Sequence, residues 1–357
     1  MEIRDLGSNA YCREEDVGKK TRAAASIDLL RALNPRVKAQ INEVEVTERL
    51  LAEHDVVIFT DYYDKKKLIS FNKFCRNLKR PIGFISGGVL GLYGFVFVDF
   101  GKDFVVGEAN SEEPKRSLIE RIKKEDSEYL EIQLEERCQF QEGDYVRFEE
   151  IEGMAQLNGQ IHQVHSVNYS RFTIRIRCET AMYDDYTHNG YAIQIQMPQN
   201  VQFDDFGTSL NSSDYASFVE ADYSKFGQSE KLHQCLKGIL GFYEVYQRLP
   251  ELHNDTDAKE YYSICEELND EEFLPFNIAR YARVQLASHC SFFGGIIAQE
   301  TLKYTGKFMP LKQWLHYETF EMIPQGIDNK VTPLGSRFDN QIAVFGQEFQ
   351  QNLMNQK

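Results

Sequence analysis

The chain has 357 residues, 42% of them hydrophobic, with 25 Phe and 19 Tyr; that is material for two or three packed domains and excludes a chain disordered over most of its length. Its formal charge of −15 disfavours a phosphate-backbone partner, so no nucleic acid is expected. No apolar run of about 18 residues offers a membrane span, MEIRDLGSNAYCREED lacks the basic start and apolar stretch of a secretory signal, and seven cysteines without a CxxC pair point to a reducing compartment, cytoplasm or nucleus.

Residues 1–100 read as alternating helix and strand. Ser26 is placed to cap a short helix ending near Leu33. Residues 37–46 read as extended and 47–53 as helical. The apolar run DVVIFT (55–60) has the character of a buried parallel strand. A helix over 64–78 follows, with Leu68, Ile69, Phe71, Phe74 and Cys75 near helical spacing and Pro81 behind it. PIGFIS and GFVFVDFG (94–101) give two further strands. This rhythm predicts an α/β layer with a largely parallel sheet.

Near Phe104 the apolar period changes to two. In FTIRIR (172–177), Phe172, Ile174 and Ile176 fall on one side; Tyr191, Ile193, Ile195 and Met197 alternate likewise. Gly143-Asp144 and Asn158-Gly159 are turn signals. Residues 104–206 therefore read as an inserted β-rich domain. Near Gly207 the period becomes helical. Ser229 is placed to cap a helix running to Leu249 and stopped by Pro250, with Leu232, Leu236, Ile239, Tyr243 and Tyr246 as its apolar face. Helical stretches at 258–268 and 277–289, with an early segment around 215–219, make residues 207–290 a predicted four-helix bundle. SFFGGIIAQETLKYTGKF reads as one helix closed by Gly306, in which Gly294 and Gly295 leave room for another element to pack close. WLHYETFE (314–321) reads as a strand, and the tail after Pro324 as loop-rich.

No residue group forms a catalytic constellation by pattern. Gly87, Gly88, Gly91 and Gly94 follow a strand, but SGGVLGLYGFVF fits neither G-x-G-x-x-G nor the lysine-bearing P-loop. Strand character resumes at once, without a helix N-terminus to receive phosphate, so these glycines read as a tight turn. His162 and His165 lie three apart, on opposite sides of a strand, with Cys178 in the next one; zinc needs four converging ligands, and no metal site is predicted. His233 and Cys235 read as helix surface and core. Cys12, Cys75, Cys138, Cys178, Cys235, Cys265 and Cys290 have no adjacent base or cation of the kind that activates a thiol, so no catalytic residue is assigned.

Five blocks, in order and together spanning nearly the whole chain, resemble the ubiquitin-activating enzymes. YCREEDVGKKTRA resembles the segment after the second strand of their first adenylation-type domain. GDYVRFEEIEGMAQLNG is similar to a signature of the first catalytic-cysteine half-domain. DYSKFGQSEKLHQCLKGI resembles the start of the four-helix bundle. SFFGGIIAQETLKYTGKFMPLKQWLHYETFEMIP resembles the return into the first adenylation domain, and RFDNQIAVFG the lead-in to the second, active one. The β-rich insertion favours a single-chain, ubiquitin-type parent.

The resemblance implies an α/β Rossmann-like fold: a truncated, inactive adenylation domain carrying an inserted β-rich domain and an inserted four-helix bundle. Its implied segments are 1–103 (inactive adenylation domain, first part), 104–206 (first catalytic-cysteine half-domain), 207–290 (bundle), 291–325 (return) and 326–357 (lead-in to the active domain). Active domains of the family carry Asn-x-x-Arg-Gln against ATP; here the matching positions are Asp5, Ser8 and Asn9, and serine replaces the arginine. An arginine that reaches the neighbouring nucleotide site in relatives with two live sites is here Asn340. Both replacements remove a charged donor, so a degraded nucleotide site is implied near Asp5, Ser8, Asn9 and Asn340. The family's opening Gly-rich turn, active domain and catalytic cysteine are expected outside this sequence.

The activity implied for the full enzyme is ATP- and magnesium-dependent formation of a ubiquitin adenylate, then a thioester, then transfer to a ubiquitin-conjugating enzyme. This chain would bind no cofactor, be inactive alone, flank ubiquitin and scaffold the active adenylation half. The helix with Phe292, Phe293, Ile296 and Ile297 is the candidate for the face that half would cover. Alternatives are a non-catalytic ubiquitin-binding adaptor, or a nucleotide-binding enzyme suggested only by the α/β start.

Overall fold

A single helical turn, α1 (Asp5–Ser8), opens the chain, and α2 (Arg22–Leu33) follows. The cap of α2 is Thr21, whose hydroxyl accepts from the Ala24 N–H at 3.1 Å, while Ser26 lies a turn inside and is buried. Thr21 takes the role because a cap needs extended backbone ahead of the first turn, here φ −72° and ψ 159°. Residues 37–46 form no strand; an alternating segment becomes one only where a neighbour completes its ladder. Next come α3 (Glu48–Leu51), β1 (Val56–Thr60) and α4 (Lys65–Arg76). Asp64 caps α4, which buries Leu68, Phe71 and Cys75. Strands β2 (Gly83–Leu90) and β3 (Tyr93–Asp99) are buried at every position.

The chain then enters the second of two compact units, Val105–Val201 with Thr305–Met309. After β4 (Phe104–Val106), it lays down β5 (Arg116–Lys124), β6 (Tyr129–Leu134), β7 (Tyr145–Glu149), β8 (Ile161–Asn168), β9 (Thr173–Arg177) and β10 (Tyr191–Ile195), then β11 (Gln199–Val201). Strands β5 to β10 close a barrel in the order β10-β5-β6-β9-β8-β7, and β11 pairs with β4. Closure leaves the barrel no free edge. Its core holds Ile122, Ile132, Phe148, Val164, Ile174 and Ile176. In two places the alternating side does not coincide with the barrel core. Phe172 is exposed at φ +54°, in the β8–β9 turn. In β10 the inward residue is Ala192, while Tyr191, Ile193 and Ile195 are half-buried and Met197 is exposed. Tyr191 is sheltered outside the core by Arg116, whose guanidinium carbon lies 3.8 Å from the ring centre.

The remainder belongs to the first unit, Met1–Phe104, Gln202–Tyr304 and Pro310–Lys357. It comprises α5 (Phe206–Leu210), β12 (Phe218–Val219), α6 (Gln228–Tyr246), α7 (Asp255–Ile264), α8 (Phe273–Tyr281), α9 (Ala287–Lys303), β13 (Trp314–Glu318), α10 (Asp339–Phe345) and α11 (Gln347–Asn355). This computed structural model describes all residues except 110–111, 213–217, 220–222, 266–272, 325–332 and 357. The expected early helix at 215–219 lies largely outside the described residues, and Phe218–Val219 is a strand. Ser229 does not cap α6. Gly227, at φ +80°, holds that position and Ser229 is buried in the first turn. Leu232, Leu236 and Ile239 are buried, but Tyr246 is 39% exposed, because the face drifts outward along the helix. The helix expected over 277–289 is broken: α8 stops at Tyr281, and Val284 gives its carbonyl to the Gly91 N–H at 2.9 Å. The described part of the tail is not simply loop, since α10 and α11 lie in it.

The sheet of this unit runs β1-β2-β3-β13-β12. β1 and β2 are parallel, as are β13 and β12, but β2–β3 and β3–β13 are antiparallel. The expected largely parallel sheet is therefore mixed, because the tight turn at Gly91-Leu92 can only join antiparallel neighbours. Of the four glycines expected there, only Gly91, at φ +68°, makes that turn. Gly87, Gly88 and Gly94 lie in the strands. A Cβ at Gly87 would sit 2.8 Å from Ile297 Cδ1, and one at Gly94 would fall on the Phe293 ring, so α9 rests close on the sheet. Phe293 and Ile297 thus face inward and are not on the outer face with Phe292, which is 45% exposed. Gly294 and Gly295, expected to receive another element, have open space where a Cβ would be. On its other face the sheet shares an aromatic core with α4, α5 and α6, in which Trp314 is fully buried.

Candidate functional site

Parallel strands β1 and β2 end side by side, with Thr60 opposite Gly87. Ligands of α/β sheets commonly bind beyond such carboxyl ends. A cavity of about 480 Å³ lies there in the first unit, lined among others by Asp5, Arg22, Asp61, Tyr63, Arg248 and Gln285. Asp61 follows β1 directly. It is held at φ +52° by its N–H, which donates to the Gly87 carbonyl at 3.1 Å. Its carboxylate accepts from Gln285 Nε2 at 2.6 Å and from Tyr63 OH at 3.5 Å, and lies 3.7 Å from Arg22. Burial, followed by the Asp61 charge, pushes the Tyr63 phenol well above its ordinary range.

The four residues singled out from sequence are placed as follows. Asp5 is buried in α1, accepts from the Glu2 N–H at 2.7 Å and lies 4.0 Å from Arg22. Ser8 Oγ lies 3.4 Å from Gln285 Oε1 and 3.5 Å from the Asp5 carbonyl. Asn9 turns away, donating to Ser26 Oγ at 3.3 Å and accepting from the Tyr11 N–H. Asn340, buried on α10, donates to the Arg4 carbonyl at 2.9 Å. The fold thus brings Asn340 against α1, where Gly7 leaves room for the Arg337 carbonyl. Asp5, Arg22 and Asp61 line the cavity; Ser8 touches it through Gln285, and Asn9 and Asn340 do not line it.

The chemistry of this donor set does not fit a nucleoside triphosphate with its metal. Arg248 is clamped by both carboxylate oxygens of Asp257, at 2.5 and 3.0 Å, and Arg283 by Glu251. Arg4 pairs with Glu2 at 2.8 Å. Glu2, Asp5 and Asp61 add three carboxylates to the lining, where phosphate oxygens need unengaged donors. Among the described residues, no three of His, Cys, Asp and Glu gather as metal ligands. His162 sits by Gln160 Oε1 at 3.1 Å, whereas His165 packs on the Tyr129 ring. Five of the thiols are held towards the protonated form. Burial pushes Cys75 and Cys290 up to about 12 and Cys265 to about 11, and raises Cys138 and Cys178.

One polar cluster has no signal in the sequence. His233, expected at a helix surface, is fully buried. Its Nε2 lies 3.0 Å from the Leu210 carbonyl, which can only accept, so Nε2 carries the proton. His233 Nδ1 then accepts from His316 Nε2 at 3.1 Å, and His316 Nδ1 accepts from Tyr93 OH at 2.9 Å. Burial lowers His233 to about 4, and burial plus the His233 charge puts His316 well below its ordinary value. The three side chains join α6, β13 and β3 as a neutral hydrogen-bonded chain.

Residues 126–196, within the barrel unit, match the FCCH domain of ubiquitin-activating enzyme E1, and residues 197–269 match its four-helix bundle. Ubiquitin-like modifier-activating enzyme 1 of Oryctolagus cuniculus is 32% identical over 370 residues, covering 99% of this chain. Ubiquitin-activating enzyme E1 1 of Arabidopsis thaliana is 32% identical over 372 residues, covering all of it. The human ubiquitin-like modifier-activating enzyme 1 is 31% identical over 371 residues, 99% of the chain. The chain spans 34% of the length of each of these relatives. The chain is thus matched from end to end by part of much longer ubiquitin-activating enzymes, and two of its regions match their FCCH domain and four-helix bundle.

Proposed function

We propose that this chain supplies the non-catalytic adenylation-type half of a ubiquitin-activating enzyme. Its sheet, with α1–α4 and α9, is read as the Rossmann-like inactive adenylation domain, formed by segments 1–103 and 291–325. Segment 104–206 is read as the ubiquitin-flanking domain, 207–290 as the bundle, and 326–357 as the lead-in to the active domain. The full enzyme would use ATP and magnesium to form a ubiquitin adenylate and then a thioester, and would pass ubiquitin to a conjugating enzyme in cytoplasm and nucleus. The contribution of this chain is structural: it holds the active adenylation half in place.

The observation that carries this reading is the end-to-end match of the chain to part of much longer activating enzymes. The donor chemistry agrees with it. Adenylation needs donors aimed where phosphate charge develops, and loss of one such donor typically slows a reaction about a hundredfold or more. Here Ser8 and Asn340 stand where the family has arginines, and the cavity arginines are engaged by carboxylates. The test is ubiquitin-dependent exchange of labelled pyrophosphate into ATP, with thioester formation as a second readout. The purified chain is expected to give neither, and addition of the active half in trans is expected to restore both. Exchange by the chain alone refutes the reading.

A further inference from the structure

Strand β5 of the barrel is longer than the strand that closes the barrel against it. β10 pairs with β5 only at Arg116, Ser117 and Leu118. The ladder has no free edge there, but β5 runs on to Lys124. On its other side β6 pairs with residues 121–124, and the Glu125 N–H donates to the Tyr129 carbonyl at 3.1 Å. In an antiparallel ladder, residues alternate between pointing both backbone groups at the neighbour and pointing both away. Counting back from Glu125, Lys123 and Arg121 point theirs at β6. Lys124 and Ile122 point theirs to the opposite side, where no described strand pairs with them. Segment 183–187 lies across from them. The Tyr186 hydroxyl donates to the Ile119 carbonyl at 3.3 Å, and Lys124 Nζ donates to the Tyr183 carbonyl at 2.8 Å. Side chains bridge this gap and backbone does not, so the segment stands further off than the ~4.8 Å between paired strands. A groove of about 500 Å³ separates the two, with buried Ile122 and Met154 in its lining. Backbone groups left unpaired along an edge are a template for a further strand.

The side chains along this edge decide what it can take. Arg121 and Lys123 are exposed and also line the groove. The carboxylates of the groove are already engaged. Glu120 accepts from Gln133 Nε2 at 2.8 Å, and Asp185 lies 3.1 Å from Lys124 Nζ. The register shifts between Ile119 and Arg121, as at a β-bulge. A bulge and cations on an edge discourage pairing with a like strand, so a second β5 is repelled at Arg121 and Lys123. A strand laid beside Ile122 and Lys124 alternates its side chains. One set lies next to Arg121 and Lys123, and the other lies over Ile122 and Met154. Carboxylates complement the first position and apolar side chains the second.

We propose that the β5 edge at Ile122 and Lys124 binds an extended segment of a partner protein, in which acidic residues alternate with apolar ones, and adds it to the barrel as an antiparallel strand. This stands whether or not the chain serves in ubiquitin activation. The probe is a fluorescent octapeptide of alternating glutamate and valine, titrated with the full chain and followed by anisotropy. Saturable binding below about 1 mM is expected. In the bound strand the valines lie opposite Ile122 and Lys124, so their N–H groups face β5 and those of the glutamates face away. Methylating the valine nitrogens should therefore abolish binding, and methylating the glutamate nitrogens should not. Arg121→Glu with Lys123→Glu should weaken binding at least about tenfold. Both side chains are exposed, so far-UV circular dichroism should be unchanged. Amide exchange at Ile122 and Lys124 should slow in the complex. No saturable binding, equal binding of both methylated peptides, or a charge-reversed chain that binds as well would each overturn the proposal. So would Ile122 and Lys124 amides already protected in the free chain, because the edge would then be covered without a partner.

Discussion

Gly94→Ala tests directly why α9 sits where it does. A Cβ on Gly94 would overlap three atoms of the Phe293 ring, which is itself 2% exposed and cannot swing into water without leaving a void. Overpacking of this sort costs about 1–3 kcal/mol. The relief an alanine brings by restricting the unfolded chain, about 0.4–1 kcal/mol, offsets only part of that. Phe293→Leu alone removes ring atoms from the same contact and should cost about 1–3 kcal/mol, short of a full truncation to alanine. Together, however, the smaller side chain makes room for the methyl group, so the double variant should lose less than the sum by about 1 kcal/mol or more. The chain has one tryptophan, Trp314, fully buried in the same unit, so its emission during urea unfolding reports this region. Losses that simply add would show that Gly94 and Phe293 are not coupled and would refute the account of how α9 packs on the sheet.

Asp99, 1% exposed, accepts at 2.8 Å from Asn72, Arg76 and the Gly101 N–H, so Asp99→Ala should destabilise the same unit by about 3–5 kcal/mol and shift the Trp314 unfolding midpoint accordingly. His233 is buried neutral with its pKa lowered from 6.5 to about 4. The unfolded chain therefore binds the proton first, and stability present above pH 6.5 falls as pH drops toward 4, by about 3 kcal/mol from this residue. Urea titrations across that window should show the loss, and His233→Gln should flatten the slope. Arg248→Ala strands the Asp257 carboxylate, 4% exposed, at a cost of about 2–4 kcal/mol that Asp257→Asn in the same chain should partly relieve.

Periodicity located most of the elements. DVVIFT and WLHYETFE contain β1 and β13, GFVFVDFG covers all of β3 but its first residue, and the helical spacing of Leu68, Phe71 and Cys75 marks the buried face of α4. These signals are local, because side-chain direction repeats along a single element. The blocks that carry the family resemblance are local too, and they sufficed to place the chain. What sequence could not supply is which face meets what. Phe292 and Phe293 are adjacent in the chain, yet one is exposed and one is packed on Gly94, a strand residue about two hundred positions earlier. Two pairs of glycines read alike: Gly87 and Gly94 make room for a helix, while Gly294 and Gly295 border open space. Tyr93, His316 and His233 form one proton-ordered chain although they are scattered over more than two hundred residues. Asn340 reaches α1 from the far end of the chain. Composition and spacing determine what each segment is able to form, since those choices depend on neighbours within a few residues. Which groups end up buried, paired or left in water depends on contacts between distant segments, and only the tertiary fold decides those.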